Sequence, residues 1–175
     1  MRTLDALDIL RTWDRNGRYV FSKGDLTKLF DEPAESFNKT LERLEKSGVL
    51  IRAARGVYVF GYSSQIGAYT LEEIAQTIRR YEYNYLSLES ALSEWGAISQ
   101  VPLDRITVMT TGRKGEFKTP FGVIEFTHTQ SSPEQILANT IRREPHPIPI
   151  ASADFALANQ RRVGRNTFLI EENHE

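Results

Sequence analysis

The sequence contains no cysteine among its 175 residues. This absence excludes disulfide bonds, zinc sites built from thiolates and enzymes with a cysteine nucleophile. The chain also lacks a run of about 20 apolar residues, the length that a membrane-spanning helix requires. Acidic residues interrupt the first apolar positions, so the N-terminus does not have the pattern of a signal peptide. We therefore expect a cytoplasmic protein that does not enter a membrane.

Motifs for nucleotide binding and for common hydrolytic chemistry are also missing. The sequence has no P-loop, no G-x-S-x-G and no G-x-G-x-x-G. Its three histidines, His128, His146 and His174, do not have the spacing of metal ligands on a helix or loop. We predict no cofactor and no metal site, and we favour a protein that is not an enzyme.

Charge of one sign does not dominate the chain, which carries a formal net charge of -1. The distribution is uneven, however. Residues 1–61 hold 11 Lys and Arg against 9 Asp and Glu, a net charge of +2, and the remainder has a net charge of -3. A nucleic-acid-binding protein with this balance must concentrate its basic side chains on one surface.

Short helices with short turns are predicted for the first part of the chain. Ser22 is a good N-cap for a helix over 23–30, and Asp31-Glu-Pro33 ends that helix because the residue before proline avoids the helical conformation. A further helix is predicted from about Ala34 to Ser47. Its apolar residues recur at helical spacing, and Gly48 is suited to the left-handed conformation that ends a helix.

Two short apolar strands follow this helix directly. Val49–Ala53 and Val57–Phe60 flank a tip of Ala54-Arg55-Gly56. A helix that runs into a tight hairpin with arginine at its tip is typical of a winged helix-turn-helix. We predict such a DNA-binding domain over residues 1–61, followed by a Gly-, Ser- and Tyr-rich linker over residues 62–69.

The polar face of the helix before the hairpin has the side chains that a helix in the major groove needs. Asn pairs with adenine in bidentate geometry, and Arg or Lys pairs with guanine. Arginines on the hairpin are placed to contact phosphates or the minor groove. The predicted contacts with double-stranded DNA are Ser36, Asn38, Lys39, Arg43, Lys46, Arg52 and Arg55.

A plainer interpretation of the same face stays open. The polar side of any amphipathic helix is charged, and Glu35, Glu42 and Glu45 lie among the basic residues. This composition also suits a winged helix that binds another protein and has no specificity for DNA. The hairpin with its Arg-Gly tip is the feature that the plainer interpretation does not predict.

A mixed α/β domain is predicted for residues 70–175, so the whole chain belongs to the α+β class. Arg105–Thr111 and Val123–Thr129 have the alternation and β-branched residues of strands. Ser132 caps a helix that has proline at its first position. A helix over Ser152–Arg162 and a last strand over Thr167–Ile170 complete the prediction.

One weak pattern in this domain indicates a Mg²⁺-dependent nuclease. Asp104 is followed by Glu116 and Lys118, and an acidic residue before Glu-x-Lys is the loose signature of such enzymes. Two carboxylates would hold the metal, and the lysine would stabilise charge. A solvated hairpin explains the same residues more simply.

Three stretches, in this order, resemble motifs of the AbiEi family, the antitoxin component of type IV toxin–antitoxin systems linked to abortive phage infection. Leu44–Tyr58 reads LEKSGVLIRAARGVY and is similar to the family's wing. Tyr85–Gly96 reads YLSLESALSEWG and resembles a helix of its second domain. Ile106–Arg113 and Thr119–His128, which read ITVMTTGR and TPFGVIEFTH, resemble two of its strands.

The resemblance implies a transcriptional repressor with an antitoxin function. Its winged helix would bind repeats in the promoter of its own operon. Its second domain would antagonise a toxin resembling a nucleotidyltransferase, without a stable complex between the two proteins.

Overall fold

The computed structural model describes residues 1–97 and 104–164, and the predicted strand Thr167–Ile170 lies outside them. In these residues the chain forms seven helices and two β-sheets, so the predicted α+β class is confirmed. None of the described helices combines the length and the apolar character needed to cross a bilayer. The chain divides into two compact units, Met1–Thr70 and Leu71–Glu175, and each is described by itself.

The first unit consists of three helices and a three-stranded sheet. Its elements in chain order are α1 (Thr3–Arg15), β1 (Val20–Ser22), α2 (Lys23–Phe30), α3 (Ala34–Lys46), β2 (Leu50–Ala54) and β3 (Val57–Phe60). The strands lie in the order β1-β3-β2, and both pairings are antiparallel. The sheet therefore combines the β2–β3 hairpin with the short strand that precedes α2.

The connection between α2 and α3 is tight at both ends. Ser22 caps α2 as predicted, because its hydroxyl accepts from the Asp25 amide at 3.0 Å and its own amide donates to the Asp25 carboxylate at 2.8 Å. At the other end, Asp31 takes a left-handed conformation with φ 49° and ψ 49°. Only three residues separate the two helices, so their relative direction is set by this turn.

The end of α3 and the end of the hairpin meet backbone to backbone. Gly48 has a φ of 77°, as predicted for the residue that follows the helix. The Gly61 amide, just after β3, donates to the Val49 carbonyl at 2.8 Å. A Cβ atom at Gly61 would lie 2.2 Å from the Gly48 carbonyl oxygen. Only glycine fits at position 61 without a shift of the backbone.

Apolar side chains from every element of the first unit form its core. Phe21 of β1, Leu26 of α2, Leu44 of α3 and Phe60 of β3 are each at most 1 % exposed. Burial of such a side chain contributes about 1.5–3 kcal/mol to folding. The three helices are therefore held on the sheet by apolar packing, which leaves their polar faces outward.

The second unit is built on a six-stranded mixed sheet in the order β6-β7-β5-β4-β9-β8. The strands are β4 (Asn84–Leu86), β5 (Arg105–Thr110), β6 (Gly115–Thr119), β7 (Gly122–His128), β8 (Thr140–Ile141) and β9 (Ile150–Ala151). The helices are α4, which begins at the boundary between the units (Thr70–Ile78), α5 (Leu88–Glu94), α6 (Pro133–Asn139) and α7 (Ala153–Arg162).

The centre of this sheet pairs strands that are distant in the chain. β5 lies parallel to β7, with Arg105 opposite Val123 and Thr110 opposite His128. The β6–β7 hairpin extends the sheet at one edge, and β8 forms the other edge. The turn into β7 needs Gly122, whose φ is 133° and whose Cβ would lie 2.2 Å from the Asp104 carbonyl oxygen.

Side chains from α5 and α7 anchor the second unit around β4. Tyr85 of β4 is fully buried and stacks on Phe155 of α7 with ring centroids 5.6 Å apart. Asn159 of α7 donates to the Ser87 hydroxyl at 3.0 Å. The Trp95 indole, just after α5, donates to the Ala151 carbonyl at 2.7 Å.

Candidate nucleic-acid interface

The α3 helix separates its apolar and polar residues onto opposite faces. Phe37, Leu41 and Leu44 are buried, which turns the intervening positions outward. The predicted contacts Asn38, Lys39, Arg43 and Lys46 are exposed as expected. Ser36 is only half-buried, and its hydroxyl donates to the Pro33 carbonyl at 3.3 Å.

Two of these basic side chains already have partners. The Lys39 ammonium lies 3.5 Å from the Glu35 carboxylate one turn earlier, and both side chains are exposed, so this ion pair contributes little to stability. The Arg43 guanidinium donates to the Thr3 hydroxyl at 3.2 Å and also to the Met1 carbonyl. Arg43 is therefore solvent-exposed but oriented by the first residues of the chain.

The N-terminal end of α3 has no side-chain cap. Its N-cap is Pro33, which has no hydroxyl or carboxylate to accept from the first helical amides. Amides at the start of a helix carry partial positive charge and bind phosphate or another anion when no side chain occupies them. This end of α3 thus adds positive potential to the face that carries Asn38 and Lys39.

The β2–β3 hairpin presents its arginines outward. Ala54 pairs with Val57, so the tip has only two residues, Arg55 and Gly56, one fewer than predicted. Gly56 has a φ of 71°, the conformation that such a tight turn requires. Arg52 and Arg55 are both exposed, and within the described ranges neither forms an ion pair with a carboxylate.

A buried tyrosine ties this hairpin to α3. Tyr58 lies opposite Arg52 in the register and is 5 % exposed. Burial raises the pKa of its phenol, and the negative charge of the neighbouring Glu45 carboxylate raises it further. Tyr58 is therefore a packing residue that fixes the hairpin beside the helix.

The start of α2 joins the same surface, which the sequence prediction missed. Ser22 of β1 pairs with Val57 of β3, and the Lys23 amide donates to the Gly56 carbonyl at 2.8 Å. The exposed Lys23 side chain therefore begins next to the hairpin tip. The sequence signal that could have placed Lys23 beside the hairpin is the apolar stretch before Ser22, because that stretch forms a strand that pairs with β3.

Arg18 shows how differently a structural arginine is held. Its guanidinium lies 2.7 Å from the Asp25 carboxylate and 5.5 Å from the centre of the Phe21 ring. The guanidinium also lies 5.8 Å from the centre of the Trp13 ring. These contacts hold the guanidinium against the unit, so we do not place Arg18 in the candidate surface.

One of the two carboxylates of the nuclease hypothesis, Glu116, is engaged with an arginine in the second unit. The Arg105 guanidinium lies 2.8 Å from Glu116 and 3.1 Å from Glu125, and the hydrogen bond to Glu116 is the main reason that the pKa of Arg105 is raised. Asp104 and Lys118 are exposed. Over residues 1–97 and 104–164, no three acidic or histidine side chains are grouped as metal ligands.

One histidine of the second unit lies between two carboxylates. His146 Nδ1 is 2.8 Å from Glu72, and its Nε2 is 3.0 Å from Glu94. Burial raises the pKa of Glu72 to about 7. Burial lowers the pKa of His146, but hydrogen bonds to Glu94 and Glu72 outweigh that effect, and the pKa ends above its ordinary value. His128 contacts the Gly112 carbonyl at 2.8 Å, and His174 lies outside the described residues.

Comparison with family models places most of the chain in one family. Residues 17–144 match the model of a family of unknown function, DUF6088. The chain belongs to this family. The match covers α2, α3 and the hairpin, and it extends into the second unit, so the family model spans parts of both units.

A solved structure has the same fold. The chain is similar to the RV2827C protein from Mycobacterium tuberculosis, with a TM-score of 0.64 and 15% sequence identity over 96% of this chain. The chain spans 64% of the length of that protein. At this identity the likeness concerns the fold alone. A search of curated proteins finds no match.

Proposed function

We propose that the first unit is a winged helix-turn-helix that binds double-stranded DNA with sequence specificity. The observation that carries this proposal is the outward polar face on α3 beside Arg52 and Arg55 on the adjacent hairpin, which have no carboxylate partner among the described residues. The order helix, strand, helix, helix, strand, strand, with a β1-β3-β2 sheet, supports this proposal, because it is the order expected for a winged helix. The net charge of +2 over residues 1–61 has the sign that DNA requires.

In this proposal, α3 enters the major groove and reads base edges. Asn38 is suited to an adenine and Arg43 to a guanine, and each bidentate contact discriminates by about 1–3 kcal/mol against the wrong base. Ser36, Lys39 and Lys46 lie along the same helix and contact bases or the backbone. Arg43 would release its contacts with Thr3 and Met1 or bring these residues towards the DNA.

The hairpin and the start of α2 contact the phosphates. Arg52 and Arg55 extend from the hairpin, and Lys23 lies beside its tip. Contacts of this kind fix the position of the protein on the duplex without reading its sequence. Because Glu42 and Glu45 reduce the charge of α3, most of the salt-dependent affinity comes from these basic residues outside the helix.

The biological role that we propose is an autorepressor and antitoxin of a type IV toxin–antitoxin operon. It rests on the resemblance of the three sequence stretches to the AbiEi family. In this role the first unit would bind repeats in the promoter of its own operon. The second unit would antagonise a nucleotidyltransferase-like toxin without a stable complex, and neither activity requires catalysis or a cofactor from this chain.

Binding to the DNA upstream of the gene, measured by fluorescence anisotropy with random DNA of equal length as control, tests the DNA-binding proposal. We expect the affinity for the upstream DNA to exceed that for random DNA by a factor of about 10³ or more. This affinity should fall steeply as the salt concentration rises. Equal affinity for the two sequences would contradict sequence-specific binding. Growth of cells that express the neighbouring reading frame, with and without this chain, tests the antitoxin role.

A protein-interaction module is the second candidate, and one observation favours it. The exposed Glu35 and Glu42 lie on the outward surface of α3, and Lys39 is paired with Glu35. A helix of mixed charge suits a protein partner as well as DNA. Absence of salt-dependent binding to any DNA would favour this candidate.

A further inference from the structure

Two exposed apolar side chains of the second unit, Tyr83 before β4 and Leu137 of α6, line one cavity. Tyr81 and Ile141 are the other large apolar side chains exposed in the described part of this unit, and neither belongs to the cavity wall. We call Tyr83 and Leu137 the β8 patch, because the cavity that they line also includes Thr140 of β8. Exposed apolar side chains beside a cavity are typical of an interaction surface.

The cavity beside the β8 patch has room for one side chain. Its volume is about 170 Å³, and its apolar wall consists of Ile136, Pro147, Ile148 and Pro149 with Tyr83 and Leu137. An apolar cavity of roughly 150 Å³ in another protein is large enough to hold benzene. The cavity therefore fits an aromatic ring and is too small for a cofactor.

Positive charge lines the polar wall of the same cavity. Arg80 and Arg142 are both exposed there. No carboxylate within the described ranges pairs with Arg142. The third charged lining residue, Glu82, accepts a hydrogen bond from the Thr111 hydroxyl at 2.8 Å. A carboxylate on a bound chain would therefore pair with Arg142 without displacing an ion pair of the described residues.

The cavity also contains an amide with an unsatisfied acceptor. The Asn84 Nδ2 donates to the Arg79 carbonyl at 2.7 Å and to the Glu82 carbonyl at 3.2 Å, which fixes the orientation of the amide. Its Oδ1 is buried, and no donor among the described residues reaches it. An unsatisfied buried acceptor costs about 1–3 kcal/mol. The Oδ1 has almost no exposed surface, so a bound chain cannot reach it and this cost stays within the folded unit.

We propose that the β8 patch and its cavity bind an extended acidic peptide segment of a partner protein. One aromatic side chain of the segment occupies the cavity, and a neighbouring carboxylate pairs with Arg142. The open edge of β8, the last strand of the sheet, lies alongside and offers backbone groups to an extended chain. This binding site is separate from the proposed DNA-binding function, and neither depends on the other.

Fluorescence polarisation of the full chain with a labelled peptide, Gly-Asp-Glu-Phe-Glu-Asp-Gly, tests the proposal. Two matched peptides serve as controls, one with lysine in place of the acidic residues and one with alanine in place of phenylalanine. We expect saturable binding of the acidic aromatic peptide and at least about tenfold weaker binding of each control. Arg142→Glu should weaken binding of the acidic peptide by about tenfold or more.

Lys114→Glu is the matched variant, because it makes the same charge change at the β6 hairpin, next to the opposite edge of the sheet. It should leave binding unchanged within about twofold. Thermal melts of both variants establish that they are folded. No saturable binding, or equal losses in the two variants, would overturn the proposal. Self-association of the chain that Leu137→Asp abolishes would also overturn it, since a second copy would then cover the patch.

Discussion

The two units of the chain differ in what their arginines contact. In the second unit, Arg105 joins Glu116 to Glu125, and Arg79 lies over two aromatic rings, 4.9 Å from the centre of Phe126. In the first unit, Arg52 and Arg55 extend from a hairpin and have no carboxylate partner among the described residues. Arg105 and Arg79 thus stabilise the second unit from within, whereas Arg52 and Arg55 leave their charge available for an external anion. Arg142 of the second unit also has no carboxylate partner among the described residues, and it marks the proposed peptide site.

The largest effect is expected for the outward face of α3. Asn38→Ala and Arg43→Ala should each cost about 1–3 kcal/mol of binding to the specific DNA and relax the preference at one base pair. Affinity for random DNA should change much less. Competition with sites mutated at single positions measures this difference, and Arg15→Ala on α1 is the control. Equal losses on specific and random DNA would show that α3 does not read bases.

The next effect in size is a pH dependence of stability, which is caused by proton binding in the second unit. The pKa of Glu72 is raised to about 7 by burial, and the pKa of His146 is also raised, so both groups hold protons more tightly in the folded chain. Their contribution to stability is present below the ordinary pKa of each group and is lost as the pH rises through the raised values. The free energy of unfolding should therefore fall by roughly 1–2 kcal/mol between about pH 5 and pH 8.

Urea denaturation across this pH range measures the effect in the full chain. The double variant Glu72→Gln, His146→Gln should flatten the dependence, because neither substituted side chain titrates. Glu134→Gln, an exposed residue at the start of α6, is the control and should leave the curve unchanged. An equally steep curve in the double variant would assign the pH dependence to other groups.

Arg105→Ala tests whether the internal arginines stabilise the second unit. Glu116 and Glu125 lie opposite each other on β6 and β7, and without Arg105 their like charges would face each other. We expect a loss of about 1 kcal/mol in the free energy of unfolding, because all three side chains are partly exposed. Adding Glu116→Gln should recover part of the loss. If the variant is as stable as the parent chain, Arg105 does not stabilise the second unit.

Arg55→Ala should have the smallest effect on stability, within about 0.5 kcal/mol, because the side chain is exposed and pairs with no carboxylate in the described part of the chain. Its effect should appear instead in DNA binding, where the salt dependence of affinity decreases by about one counterion on every sequence. A marked loss of stability would mean that the hairpin tip is part of the packing of the unit. An unchanged salt dependence would show that Arg55 does not contact a phosphate.

Elements with a strong local signal could be predicted from the sequence. Ser22 and Ser132 cap their helices as expected, because a serine cap depends only on the next three residues. The hairpin after Gly48 was also predictable, since its two strands are adjacent in the chain. The short strands β4, β8 and β9 were missed, because two or three residues carry too little periodicity and their pairing is set by distant parts of the chain.

In the candidate site too, features with a local sequence signal could be predicted, and features set by distant parts of the chain could not. The outward positions of α3 could be predicted from its apolar spacing, and exposure of Asn38 follows directly from burial of Phe37 and Leu41. The place of Lys23 beside the hairpin could not, because it depends on the pairing of β1 with β3. The contact of Arg43 with Thr3, 40 residues earlier, has no local signal.

Gly61 fixes the position of the hairpin relative to α3. Its close approach to the Gly48 carbonyl leaves no space in which the hairpin could slide along the end of α3. If α3 reads bases and the hairpin contacts phosphates, the offset between those two sets of contacts is fixed by a backbone contact that never touches DNA. Relatives that differ only in the hairpin tip would then contact different phosphates while they read the same base pairs.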